Sequence, residues 1–155
     1  MSEEPGQARL SPLRLLVPLC WMAAVLWFSG EAFASVQTSQ IIIPLLRALS
    51  PTASPETLSL IHGLIRKCAH FFEYLLLGYL WYWSLRPRWP LGKIPFLLAF
   101  FLSLGWAIFD ETHQSGIPLR TGSPWDVLID ASGVLLMQAI LWSRQGREQI
   151  KNQAR

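Results

Sequence analysis

Residues 94–114 read IPFLLAFFLSLGWAIFDETHQ. The run from Ile94 to Phe109 carries no charge, and then Asp110, Glu111, His113 and Gln114 arrive together. An uncharged apolar run marks a helix in hydrocarbon, where crossing a core of about 30 Å takes about 20 residues. This run is short by that measure. It reaches full length if the helix continues through Glu111 or further, with the acids facing the protein interior or water.

Three other apolar runs flank it, from Leu13 to about Phe33, from Cys68 to Leu85 and from Trp125 to Trp142. Hydrophobic residues make up 52% of the chain and charged residues only 15%. A soluble domain of this size carries more charge on its surface. The expected fold is therefore an all-α membrane protein with four transmembrane helices, in one domain over 13–143. A disordered tail is expected over 1–12 and a basic tail over 144–155. Pro18 is placed to kink the first helix, and Pro95 suits a first helical turn. Cys20 and Cys68 fall toward opposite faces of the bilayer, which argues against a disulfide. No cysteine spacing resembles a zinc site. The net charge of +3 is mild. Its basic residues sit beside apolar runs, which favours a membrane and not a nucleic acid as partner.

The charges orient the bundle. Arg9, Arg14, Arg86, Arg88, Lys93, Arg144, Arg147, Lys151 and Arg155 gather at one side if both termini are cytoplasmic. Arg47, Arg66, Lys67 and Arg120 are then outside, an asymmetry that fits the positive-inside rule. Ala32-Phe33-Ala34 offers a rival reading, in which the first run is a cleaved signal peptide. Cleavage would leave the sidedness of the other helices unchanged.

The connection between the first two helices is long. Ile41–Leu49 is a short apolar stretch. Ser54 then suits an N-cap and Pro55 a first helical position. Residues 55–66 read as a short outer interfacial helix before helix two, running into it or bending at Gly63. It is either a lid or a helix that packs on the bundle.

The polar residues concentrate at one end. Lys67, His70, Glu73 and Tyr74 share a helical face by their spacing of three and four. Glu73 lies about 9 Å along the axis from Lys67, below the interface, where an ionisable group must face the interior. In the next helix Asp110, His113 and Gln114 can share a face, with Glu111 turned about 100° away. Adjacent carboxylates repel unless a cation or a proton intervenes; Arg120 is near in sequence and Lys67 is a candidate in space. Ser123, Pro124 and Asp126 match a capping box. Asp130 has no such structural account, and Gly133 on its face admits a close helix.

Lys67, His70, Tyr74 and Leu77, then Asp110-Glu111-x-His113-Gln114, then Arg120-Thr121-Gly122-Ser123 with Asp126, Asp130 and Gly133, resemble the VanZ-like family. The resemblance runs from Phe28-Ser29 through the last helix. One departure is Asp130, where members of the family often carry Asn. The resemblance implies a small integral membrane protein of the bacterial cell envelope. The family is named for an accessory protein linked to teicoplanin resistance.

Three functions fit these residues. An enzyme acting on an outer-leaflet lipid or lipid-linked phosphate would use Arg120, Lys67 and Arg66 on the anion. Glu111 or Asp110 would act as base and His70 or His113 as acid, with Asp130 a further catalytic candidate. Glu73, Tyr74, Gln114 and Asp126 complete the expected binding set. A binding or transport protein for a lipid, a cell-wall precursor or an antibiotic would use the same cations without chemistry. An accessory subunit would stabilise another envelope protein, and a purely structural account makes the cluster a buried ionic lock that fixes helix packing. A homo-oligomer is compatible with each. No metal motif is present in the spacing, although His70, Glu73, His113 and an Asp offer ligand types; the cofactor is left open.

Overall fold

The computed structural model describes residues 11–89, 92–118, 120 and 122–153, without the side chains of 148–153. Arg9, Thr121, Arg155 and all but the last two residues of the expected N-terminal tail lie outside the described residues. Every regular element described is helical. The helices are α1 (Pro12–Phe28), α2 (Ser35–Leu49), α3 (Pro55–Leu85), α4 (Ile94–Ser115) and α5 (Pro124–Gln153), with one 3-10 turn over Glu31–Phe33.

Helix starts follow the expected chemistry. Ser54 caps α3 by accepting from the Thr57 amide at 3.2 Å, with Pro55 in the first turn. Pro95 opens α4, which continues past Glu111 to Ser115. That extension gives it 22 residues, the full length the short apolar run required.

One boundary differs from expectation. The first helix ends at Phe28, not near Phe33: Ser29 and Gly30 turn the chain into the 3-10 segment before α2 begins. Of the two courses expected for 55–66, the structure takes the first, running into helix two without a bend. These residues form the opening turns of a continuous 31-residue α3, and the helix passes through Gly63. The apolar stretch 41–49 is in turn the second part of α2. These two helices pair because α3 buries Leu58 and His62 there, and His62 Nε2 meets Thr38 Oγ1 of α2 at 3.0 Å.

The centre of the bundle is α3, which packs against α1, α2, α4 and α5. Its Tyr74, Leu77, Trp81, Tyr82 and Leu85 meet Val25 of α1, Phe96, Ala99 and Ala107 of α4, and Val134 of α5 in one core. The contact of α3 with α5 is unusually close. A Cβ on Gly133 would stand 2.3 Å from the Phe71 carbonyl oxygen, and one on Gly78 would stand 3.0 Å from Val134 Cγ1. Small residues at these crossings let the two backbones approach.

Large apolar side chains, including Leu97, Phe101, Ile108, Leu128 and Leu135, point outward. Glu31–Leu49, Ile94–Ser115 and Pro124–Arg147 are long and apolar enough to cross a membrane, and Pro12–Phe28 is apolar but shorter. A helix apolar on its outer face suits hydrocarbon, where its backbone is satisfied internally. The long α3 carries His70 and Glu73 in its middle turns. At the basic end Arg14 lies 4.8 Å from the Trp83 ring and Arg88 lies 5.7 Å from the Trp89 ring. Such pairs of cation and aromatic ring suit a membrane–water boundary.

Candidate functional site

At the other end α1 and α4 finish, α5 begins and α3 passes through. There α4 buries Ser103, Ala107, Asp110, Glu111 and Gln114 as one stripe. At about 100° per residue, Gln114 and Glu111 lie about 40° and 100° to one side of Asp110, and His113 lies about 60° to the other. His113 is consequently exposed. The expected face of Asp110, His113 and Gln114 is therefore corrected: Glu111 takes the place of His113.

A hydrogen-bond chain crosses the site. Tyr74 donates to Asp110 Oδ2 at 3.5 Å, and Gln114 Nε2 donates to the same oxygen at 3.1 Å and to Ser29 Oγ at 3.2 Å. Arg120 then donates through Nη1 to Gln114 Oε1 at 3.1 Å, and through Nη2 to the Phe28 and Phe33 carbonyls at 2.7 and 2.9 Å. Arg66 Nη1 reaches the Phe33 carbonyl from the other side at 2.8 Å. Burial lowers the proton affinity of both arginines, but an arginine remains a cation. Burial, followed by the nearby Arg66, also holds His62 below the ordinary imidazole value.

Arg120 is thus committed to fixing where α1 ends. Its planar fork spans two carbonyls and an amide, which a single ammonium cannot reproduce. Arg120→Lys is expected to cost about 2–3 kcal/mol, nearly as much as Arg120→Ala. Thermal unfolding of the purified variants measures this, and a Lys variant as stable as wild type would refute the bracing role.

The acids do not pair as expected. Among the described residues no ion pair within 4.0 Å joins Asp110 or Glu111 to Arg120 or Lys67. Lys67 pairs with Asp126 instead. The capping box is also rearranged. Ser123 Oγ accepts from the Trp125 amide at 3.2 Å, but the Ser123 amide donates to Glu111 Oε2 at 2.8 Å and not to Asp126. The opening of α5 is therefore docked on α4 by Glu111. Gly122 allows this, since a Cβ there would fall 2.2 Å from the Glu111 carbonyl oxygen. Ser115, a turn-end hydroxyl, donates to that same carbonyl.

Asp130 is fully buried, and neither of its oxygens has a hydrogen-bond partner. His70 Nδ1 stands 3.8 Å from Asp130 Oδ1 and 3.9 Å from Glu73 Oε2, close for charges but long for hydrogen bonds. Eleven of the twelve expected site residues therefore gather at this end, and His113 turns away. The sequence reading missed Ser29, Thr38, His62 and the Phe28 and Phe33 carbonyls. Backbone acceptors leave no trace in residue types, though Ser29 sits where the family resemblance begins.

Two adjoining cavities open at the site. One, of about 250 Å³, lies between α2 and α3 and has Phe28, Phe33, Ile42 and Ile65 among its walls. The other, of about 220 Å³, is lined by Lys67, Gln114, Asp126 and Ile129 among others. Arg66, His70 and Arg120 border both.

A helical bundle with lipid-compatible outer faces and buried acids, amides and arginines at one end is an integral membrane protein with a polar centre. A family model described as VanZ/LLP1 matches residues 14–145, and the chain belongs to the VanZ/LLP1 family. No curated protein and no solved structure matches it.

Proposed function

We propose that the protein holds an anionic lipid of the bacterial cell envelope, with its headgroup at the polar centre and its chain along the apolar cavity. Four helices, α1, the Cys68–Leu85 part of α3, α4 and α5, cross the cytoplasmic membrane with both termini inside. The polar centre is extracytoplasmic, covered by α2 and the opening turns of α3. The observation that carries this reading is the pair of cavities meeting at Arg66, His70 and Arg120. A polar chamber beside an apolar one matches an amphipathic ligand. With both Arg120 Nη groups committed, Arg66, bonded to the Phe33 carbonyl through Nη1, and Lys67, paired with Asp126, supply the charge that grips phosphate. A cell-wall lipid precursor as ligand would connect the site with the glycopeptide setting that the family resemblance implies.

Catalysis on that lipid is the second reading. It is favoured by the Glu111 Oε1 and Asp130 oxygens, which are buried without hydrogen-bond partners. Such groups suit acid–base work beside a bound headgroup.

Mass spectrometry of lipids carried through purification tests both readings. Wild type is expected to retain an anionic lipid that Arg66→Ala with Lys67→Ala loses by about tenfold, which corresponds to about 1.4 kcal/mol. Conversion of added envelope lipids by wild type but not by Glu111→Gln would establish an enzyme, since Gln can still accept from the Ser123 amide. Retention of no lipid, together with no conversion, would sink the proposal.

A further inference from the structure

We propose that His70, Glu111 and Asp130 form a binding site for one divalent first-row transition-metal ion, of the zinc or manganese kind. One ligand atom from each lies within 4.8 Å of the other two, and each comes from a different helix, α3, α4 and α5. The second observation is independent of this clustering. Asp130 has zero exposure and Glu111 only 5%, yet both Asp130 oxygens and Glu111 Oε1 lack hydrogen-bond partners, as does His70 Nδ1. Buried polar atoms are almost always satisfied, and a group of unsatisfied ones that converge calls for a ligand.

Charge points to a cation of two positive charges. Two carboxylates and a neutral imidazole carry two negative charges, so a divalent ion balances the charge of its three ligands. An imidazolium alone would leave one charge uncompensated, at a cost the interior does not tolerate well. The donor set selects the metal. One nitrogen with two oxygens suits zinc, manganese or ferrous iron; calcium and magnesium favour sites made wholly of oxygen. Ligands at about 2.1 Å around a tetrahedral ion lie about 3.4 Å apart, so loading draws the triangle inward.

The surroundings support ligation. Glu111 Oε2 is fixed by the Ser123 amide at 2.8 Å, which orients the carboxylate and leaves Oε1 available. The close passage of α3 and α5 at Gly133 brings His70 to 3.8 Å from Asp130. Three protein ligands leave a position for water or for an oxygen of a bound molecule. His70 borders both cavities, so the ion would lie beside the proposed headgroup site. The proposal deepens that reading but is measured without any lipid, so either can fail alone.

The test uses the full chain in detergent, treated with chelator, incubated with Zn²⁺ or Mn²⁺, desalted and analysed by mass spectrometry for metal. Wild type is expected to hold about one ion per chain. Asp130→Asn and His70→Ala are expected to lose about tenfold or more in affinity. His113→Ala, which removes an exposed histidine, should bind as wild type does. Cobalt loading of wild type adds a readout independent of variant folding, since ligation by nitrogen and oxygen gives visible absorption bands distinct from those of the aqueous ion. Wild type that takes up no metal, or His70→Ala and Asp130→Asn that retain it in full, would overturn the site. Loss of metal in His113→Ala alone would assign the ion to the surface and overturn it equally.

Discussion

Gly133→Ala is expected to lower stability by about 3 kcal/mol or more, the top of the usual range for overpacking, with no change in polarity. The new methyl carbon would stand 2.3 Å from the Phe71 carbonyl oxygen and 3.1 Å from the Leu75 amide nitrogen. Both are helix backbone, which cannot rotate aside as a side chain would. The two helices would have to separate by about an ångström to restore ordinary contact. That separation would also draw Asp130 away from His70 and loosen the packing of Val134 against Gly78. Gly63→Ala provides the contrast. Its methyl would meet nothing within 4 Å, and replacing a glycine inside a helix gains about 1 kcal/mol. Thermal unfolding in detergent should show opposite shifts for the two variants. A Gly133→Ala protein as stable as wild type would mean that α3 and α5 do not pass as closely as described.

The helices were legible in the sequence because apolar runs, proline starts and the Ser54 cap act locally. Their joins were less so. Only Ser29-Gly30 marks the end of α1 locally, and Arg120 braces that end from more than ninety residues away. A possible bend at Gly63 was equally a local reading, and the packing of Leu58 and His62 on α2 decided against it. The site was legible in its membership because charged residues in apolar surroundings stand out. Its pairings were not. Sequence proximity suggested Arg120 for the Asp110-Glu111 pair, and a local motif tied Asp126 to Ser123. In three dimensions Lys67 takes Asp126, the Ser123 amide takes Glu111, and the acids deepest in the bundle are left without a cation. His113 was misplaced because three residues sharing a face admit two choices of arc, and only packing selects between them.

Asp130→Asn is the substitution expected to separate function from stability most clearly. In protein stripped of metal it should raise stability by about 1–3 kcal/mol, the usual cost of a buried polar group without partners. The two side chains are nearly the same size, so packing is conserved and the charge alone is removed. The Asn amide can donate toward His70, whose Nδ1 stands 3.8 Å from Asp130 Oδ1. The same variant should lose metal binding, together with any lipid conversion the site performs. An ionic lock predicts otherwise. If His70 and Asp130 served to hold α3 to α5, removing the charge would strand a buried imidazolium and destabilise the bundle by several kcal/mol. The comparison therefore needs only chelator-treated protein and two melting curves. Stabilisation marks Asp130 as a residue kept against the interest of the fold, which is the expected state of a functional group in a membrane interior. Destabilisation would assign it to packing and remove the main support for a metal centre.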